Sequence, residues 1–288
     1  MLADYHVHTE FSDDSKEAME AQVERGIALG LAEICFTDHV DYGIKKDWDE
    51  GNIEWRGGDG VGISAAEAAP LANVDYPKYF AKIAALASRY QAKITLRRGL
   101  EFGVQCETIP KYEALWQKYG GELDFALLSI HQVENKEFWT QDFQQGRSQR
   151  EYHERYYQEL YDVIKGFKHY TVLAHLDLIK RYDKTGAYPF SKVRDMVAEI
   201  LKLAISDGKG IELNTSSWHY ALADTMPSRE ILRLYKDLGG RIITLGSDAH
   251  STKYLGDHFS EAREILRDEL GFGQIYTFRH FEPIGHKW

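Results

Sequence analysis

Near the start of the chain, the stretch DYHVHTEFSDDS (4–15) sets two histidines two positions apart and follows them with two aspartates. Imidazole and carboxylate together suit zinc, iron or manganese. Residues two apart on a strand point the same way, so His6 and His8 can reach one ion, as can Asp248 and His250. The same side-chain types recur along the chain: Asp14, then Asp38 and His39, Glu101, His131, His175, Asp248 and His250. Nine of these are candidate metal ligands: His6, His8, Asp14, His39, Glu101, His131, His175, Asp248 and His250. A tetrahedral zinc needs only four ligands, so the set implies two to three divalent ions. No cysteine is placed to compete with them.

Side chains so far apart in sequence need a scaffold that gathers them. Strand-like runs are predicted at 2–8, 32–39, 93–102, 123–131, 170–177, 209–216 and 241–250. Helical patterns lie between them near 15–29, 76–91, 109–119, 148–166, 192–207, 227–238 and 258–270. The clearest helix carries Val193, Met196, Val197, Ile200, Leu201 and Ala204 on one face, with the spacing of an amphipathic helix. Alternating strands and helices predict a parallel sheet. Seven such units point to a closed or nearly closed β/α barrel, with a doubly wound open sheet as the competing arrangement. Every strand candidate except the sixth, which ends at Asn214, ends in a metal-ligand type. In a barrel all those ends share one face, where active sites are built. A last strand-like piece at 274–281 is expected at an edge or packed outside.

The bulk properties are those of an ordinary globular chain of 288 residues, 43% hydrophobic and 28% charged. A formal net charge of −10 argues against a nucleic-acid surface, which wants a basic stripe. It leaves room for an anionic substrate, because bound cations reverse the local field. The two cysteines, Cys35 and Cys106, read as small buried residues in a reducing, cytoplasmic setting. No signal peptide is expected, and no apolar run reaches the roughly 18 residues that span a membrane. The connection at about 41–75 is long enough to be a lid or binding loop. Its GGDG (57–60) is not a phosphate loop, since no Gly-Lys-Ser/Thr follows.

The opening D-x-H-x-H-T, TDH (37–39), GLEFG (99–103), SIH (129–131), AHLDLIKRY (174–182) and GSDAH (246–250), in that order over nearly the whole chain, resemble the polymerase and histidinol phosphatase (PHP) family. AHLDLIKRY and the total length look most like its histidinol-phosphatases of histidine biosynthesis. The resemblance implies an α/β fold, a distorted (β/α)7 barrel in one domain over 1–288, with a metal site at the C-terminal strand ends. It implies three ions, of zinc, iron or manganese. His6, His8, Glu101 and Asp248 would hold one; Glu101 would bridge to a second, bound also by His131 and His175. Asp14, His39 and His250 would hold the third. Such phosphatases often carry an arginine a few residues beyond the NT of the sixth strand. Here Trp218 and His219 stand there, and His219 is the candidate to take over its contact with phosphate.

The expected reaction is hydrolysis of a small phosphate ester, L-histidinol phosphate. A water between the ions, deprotonated near neutral pH, would attack phosphorus in line. Asp38 is the candidate catalytic residue, as a proton shuttle or as a brace for a histidine. Arg181 is the candidate phosphate clamp, because its planar fork matches phosphate bidentately. Asn214 and His219 are candidate pocket residues, and Asp177 is expected to brace the fifth strand end. The acidic and aromatic 41–75 loop could close over a cationic substrate or simply exclude water. His153, on a helix crowded with charge and tyrosine, is expected to be solvated; His169 precedes the fifth strand and so lies on the wrong face, and His258, His280 and His286 read as surface or packing residues. Two other readings compete: the same site acting on a nucleotide, phosphotyrosine or nucleic-acid end, and a non-catalytic metal-binding module.

Overall fold

The computed structural model describes residues 2–56 and 69–288; the GGDG stretch lies outside them. Seven parallel strands follow one another around the sheet in chain order. They are β1 (Ala3–Val7), β2 (Glu33–Phe36), β3 (Thr95–Gly103), β4 (Phe125–Ser129), β5 (Val172–Leu173), β6 (Gly210–Asn214) and β7 (Ile243–Gly246). A short strand, His39–Val40, extends the β2 side and pairs with β3, setting His39 beside Glu101. The sheet closes where Val7 bridges Ala249 and the Asp248 amide donates to the His6 carbonyl at 2.8 Å. The buried Asp4 carboxylate knits this seam by accepting from the Ser247 and Gly256 amides, each at 3.0 Å. The architecture is a nearly closed seven-stranded β/α barrel, not the open doubly wound sheet.

Helices cover the outside: α1 (Met19–Leu29), α2 (Tyr76–Tyr90), α3 (Ile109–Tyr119), α4 (Gln149–Gly166), α5 (Arg194–Ser206), α6 (Arg229–Asp237) and α7 (Phe259–Glu264). Each presents an apolar stripe to the strands; α5 buries Val197, Ile200, Leu201 and Ala204, as its periodicity requires. Helix α4 starts where it does because Ser148 and Glu151 form a reciprocal cap. Helix α7 is shorter than the pattern suggests and runs into a π-helical turn, Ile265–Glu269. Inside the barrel, Tyr5, Cys35, Phe125, Leu127, Val172 and Ala174 form a separate small core. Phe278 joins it from the hairpin β8 (Gln274–Arg279) and β9 (Glu282–Lys287). The final strand-like piece therefore plugs the barrel instead of packing outside it.

Four other expectations change. Strand β5 is two residues long, because the chain leaves extended geometry at His175, where φ is +23°. The 41–75 connection is not structureless in its described parts: Trp55–Arg56 pairs antiparallel with Ala69–Pro70. His153 is buried, not solvated; its Nε2 lies 2.8 Å from Asp183 Oδ2 and its ring stacks on Tyr188. Cys35 is buried as expected, whereas Cys106 is half-buried.

Candidate metal centre

All nine candidate ligands meet at the C-terminal mouth of the barrel. A register irregularity in β1 between Asp4 and Val7 re-aims the chain. Tyr5 therefore stays in the inner core while His6 turns to the mouth. His6 Nε2 and His8 Nε2 stand 3.2 and 3.5 Å from Glu101 Oε2, and 3.6 and 3.4 Å from Asp248 Oδ1. Two donors on one ion with bonds of about 2.0–2.1 Å lie about 3–4 Å apart, so each of these imidazole–carboxylate pairs has the spacing of neighbours on one zinc-sized ion. His6 Nε2, His8 Nε2, Glu101 Oε2 and His39 Nδ1 are buried and have no hydrogen-bond partner. Leaving such groups unsatisfied costs about 1–3 kcal/mol each, and a cation removes the deficit. The residues fit a divalent metal.

Two further donor groups flank the first. Glu101 Oε1 lies 3.1 Å from His131 Nε2 and 2.7 Å from His175 Nε2, and accepts from Ser129 Oγ at 2.6 Å. Asp14 Oδ2 lies 3.1 Å from His250 Nε2 and 3.5 Å from His39 Nε2. His8 is sandwiched between the rings of His39 and His250, with centroids at 4.2 and 4.1 Å. His175 and Asp248 both have positive φ, +23° and +56°, a conformation non-glycine residues adopt at a cost of about 1–3 kcal/mol. Such strain is characteristic of positions held for function.

The electrostatics are those of a cluster assembled for cations. Burial works against the charge on Glu101, but His6, His131 and His39 outweigh it and hold the carboxyl well below its usual range. Asp248 is held low in the same way by His6, His8 and Arg181, against its burial. Burial also opposes a charge on His131, yet Glu101 and Asp41 push its pKa up to about 9. His8 behaves oppositely: burial and the neighbouring imidazoles drive it well down. Protons and metal ions compete for these imidazoles and carboxylates, which couples metal uptake to proton release.

Behind these donors a second set of carboxylates fixes ring orientation. Glu212 Oε1 lies 2.7 Å from His6 Nδ1, and Asp41 Oδ1 lies 2.7 Å from His131 Nδ1. Each fills space left by a glycine: a Cβ at Gly246 would collide with Glu212, and one at Gly103 with Asp41. Lys45 is buried and bridges Asp41 at 2.9 Å and Asp13 at 2.5 Å. Asp38, buried, accepts from Thr9 N and Ser12 Oγ at 2.7 Å each and from Thr9 Oγ1 at 3.0 Å. Both its oxygens are engaged by the 9–12 loop and it lies outside the cavity lining. That is bracing geometry, not the geometry of a proton shuttle.

Above the cluster opens a cavity of about 330 Å³. Arg181, on the 3₁₀ turn Leu178–Tyr182, is buried in its wall. Its Nη2 donates to Ser216 Oγ at 2.7 Å and lies 3.2 Å from Asp248 Oδ2, and its guanidinium lies 4.0 Å over the Tyr220 ring. Asn214 is buried beneath the cluster, donating to Glu212 Oε2 at 3.1 Å. His219 packs on Tyr254, and neither Asn214 nor His219 lines the cavity. Asp177 accepts from Lys180 Nζ and the Ser228 amide, tying the β5 end to the start of α6.

The PHP domain pattern matches residues 4–216 of the chain. The chain belongs to the PHP family. A histidinol-phosphatase of Lactococcus lactis subsp. lactis is 30% identical to this PHP protein over 286 residues, covering 96% of this chain and 93% of that one. The crystal structure of a histidinol phosphate phosphatase from the same organism, complexed with zinc, L-histidinol and phosphate, superposes with a TM-score of 0.80. It is 28% identical and covers 98% of each chain. A Listeria monocytogenes protein shares the fold at a TM-score of 0.71 and 20% identity, covering 90% of this chain and 99% of that one.

Sequence reasoning missed four residues of this PHP site: Glu212, Asp41, Lys45 and Asp13. A signal existed for two of them. Glu212 is two positions before Asn214 and Asp41 two after His39, so strand alternation alone aims them at the barrel mouth. Lys45 and Asp13 sit in loops, where no periodicity points to them.

Proposed function

We propose that the protein is a metal-dependent phosphomonoesterase that hydrolyses L-histidinol phosphate to L-histidinol and phosphate. The observation that carries the chemistry is the convergence of two imidazoles on two carboxylates: His6 and His8 Nε2 both stand 3.2–3.6 Å from oxygens of Glu101 and Asp248. The substrate rests on end-to-end likeness to the Lactococcus lactis phosphatase, whose structure holds L-histidinol and phosphate. We read residues 1–288 as one catalytic domain in the reducing cytoplasm. Both cysteines are free, and no helix among the described residues is long and apolar enough to cross a membrane.

In this reading His6, His8, Glu101 and Asp248 hold one divalent ion. Glu101, His131 and His175 hold a second; Asp14, His39 and His250 hold a third. Zinc fits the donor set, and iron and manganese share its preferences. When bound, such ions acidify water and offset charge on phosphoryl oxygens. Arg181 then grips phosphate: its fork is buried, preset against Ser216 and Tyr220, and adds positive charge where the transition state accumulates negative charge. Asp38 holds the 9–12 loop so that His8 and His39 keep their places. Glu212 and Asp41 fix the tautomers of His6 and His131, leaving each Nε2 free to ligate. The cavity walls limit the water that reaches the ester.

Phosphate release by the zinc-loaded protein tests the proposal. Turnover of histidinol phosphate should exceed that of phenyl phosphate, nucleotides and phosphotyrosine, and chelation should abolish it. Metal analysis should find more than one ion per chain. Turnover of nucleotides alone would redirect the substrate assignment, and a fully loaded but inert protein would favour a binding module.

A further inference from the structure

The two carboxylates that orient imidazoles of the donor cluster are secured differently. The second oxygen of Glu212 accepts from neutral donors, the His175 amide at 2.9 Å and Asn214 Nδ2 at 3.1 Å. Asp41 offers Oδ1 to His131 Nδ1 at 2.7 Å, and its Oδ2 lies 2.9 Å from the buried Lys45 ammonium. A tight turn brings Lys45 there, its amide donating to the Asp41 carbonyl at 2.8 Å. Asp13, from the loop after β1, anchors the same ammonium at 2.5 Å. Among the described residues that line the cavity, only Lys45 and Arg181 carry a fixed positive charge. Burial works against the charge on Asp41, yet Lys45 and then His131 outweigh it and hold the carboxyl well below its usual range.

The place of the Asp41 carboxylate is contested. His39 Nδ1 stands 3.9 Å from Oδ2, so a second imidazole competes with His131 for the same group. We infer that Lys45 is a positioning residue: its ammonium holds Asp41 Oδ2, so that Oδ1 stays on His131 Nδ1 and His131 Nε2 stays turned to Glu101. This rests on the metal-centre reading above and extends it to a lysine whose two ion pairs, with Asp13 and Asp41, both lie outside the nine ligands. A buried carboxylate stripped of its countercharge is costly and moves toward whatever compensates it. Without Lys45, Asp41 turns toward His39, and His131 loses the acceptor that fixes its tautomer.

The experiment measures stepwise zinc affinity, by competition with a chromophoric chelator, in wild type, Lys45→Met, Lys45→Arg, Asp41→Asn and the double variant Lys45→Met/Asp41→Asn. Lys45→Met and Asp41→Asn should each weaken one zinc step about 10- to 100-fold and leave at least one other unchanged. The double variant should match the weaker single variant within about threefold, because the two residues act as one unit. Lys45→Arg keeps the charge and should bind the affected ion more tightly than Lys45→Met. In zinc-loaded protein labelled with 15N-histidine, NMR should find His131 protonated at Nδ1 in wild type and that signal lost in Lys45→Met, a change that lower stability alone does not produce. Zinc steps all within about twofold of wild type in Lys45→Met overturn the inference and leave the metal centre intact. So do losses that multiply in the double variant, or weaker inhibition by inorganic phosphate at unchanged zinc affinity, which would place Lys45 against the substrate. If Lys45→Met does not fold, Asp41→Asn and the double variant decide by the same comparison. A wild-type protein that takes up no zinc removes the metal-centre reading itself.

Discussion

Glu212 Oε1 lies 2.7 Å from His6 Nδ1, in space that exists because residue 246 has no side chain. The same carboxylate receives the His175 amide at 2.9 Å through its other oxygen. One buried residue on β6 therefore sets both an imidazole of β1 and the strained backbone at the end of β5. Glu212→Gln should cut zinc affinity about 10- to 100-fold. Competition with a chromophoric chelator measures this directly. Gly246→Ala should be worse, since its methyl group would collide with Glu212 and with the His6 Cβ. Reduced soluble yield and a lower melting temperature are the expected signs, and an alanine variant with wild-type zinc content would contradict the steric account.

Glu101 contacts four imidazoles, those of His6, His8, His131 and His175, and a fifth, His39, at 3.0 Å. Glu101→Gln keeps the shape and removes the charge that keeps those rings together. Turnover should fall at least about 10³-fold. Metal analysis should show fewer ions per chain than in wild type. A fully active glutamine variant would end the proposed ligand assignment.

Chelation should cost stability as well as activity, because the buried donors are left without partners. A metal that binds the folded state at about 1,000 times its Kd contributes about 4 kcal/mol. For a chain of this size that corresponds to a melting shift on the order of 10 °C. Differential scanning calorimetry with and without a chelator gives the answer, and an unchanged melting temperature would mean that the cluster does not hold metal.

Arg181 is preset by Ser216, Asp248 and the face of Tyr220. Arg181→Lys loses the planar fork and the stacking, so it is not conservative. We expect kcat/KM to fall about 10²-fold and inorganic phosphate to inhibit correspondingly more weakly. Unchanged inhibition by phosphate would show that the clamp lies elsewhere.

The buried His153–Asp183 pair predicts an acid limit that the metal centre does not set. Burial lowers the His153 pKa from its ordinary 6.5, with Asp183 only partly opposing it. The unfolded chain therefore binds the proton more readily, and the stability from this site is complete above 6.5 and declines as pH falls below it. Asp183 is shifted down, since hydrogen bonds from Tyr152, Gln149 and His153 outweigh its burial. Its contribution is present above the ordinary carboxylate range and is lost at lower pH, in the same direction. His153→Gln should make the melting temperature less sensitive to pH between 7 and 5, read in parallel scans of wild type and variant. An identical slope would exclude His153 as the titrating group.

The barrel and its gathering of ligands were legible in the sequence for a physical reason. Strand periodicity and the polar types at strand ends are local features, and parallel order then carries them to one face. What depends on backbone geometry was not legible. Nothing in VLAHLD (172–177) announces that β5 stops before His175, since the left-handed turn there is a tertiary outcome. His153 was misread because the charge on the outer side of α4 hides a buried face. Asp38 was placed by its neighbour His39, yet alternation sends its carboxylate toward Thr9 and Ser12. Phe278 gave no sign that a terminal hairpin would plug the barrel, because that contact has no periodic signature.

The seam between the first and last strands has a consequence for how the molecule comes into being. Asp4 and Ser247, which join it, are 243 positions apart. While the ribosome is still making the second half, His6 and His8 have no opposite bank to face. Contacts of such separation form late, so the mouth is completed only after release of nearly the whole polypeptide. The cell must hand over its cations to a nearly finished protein, since a nascent chain stopped at its midpoint lacks His175, Asp248 and His250, one donor of each proposed ion.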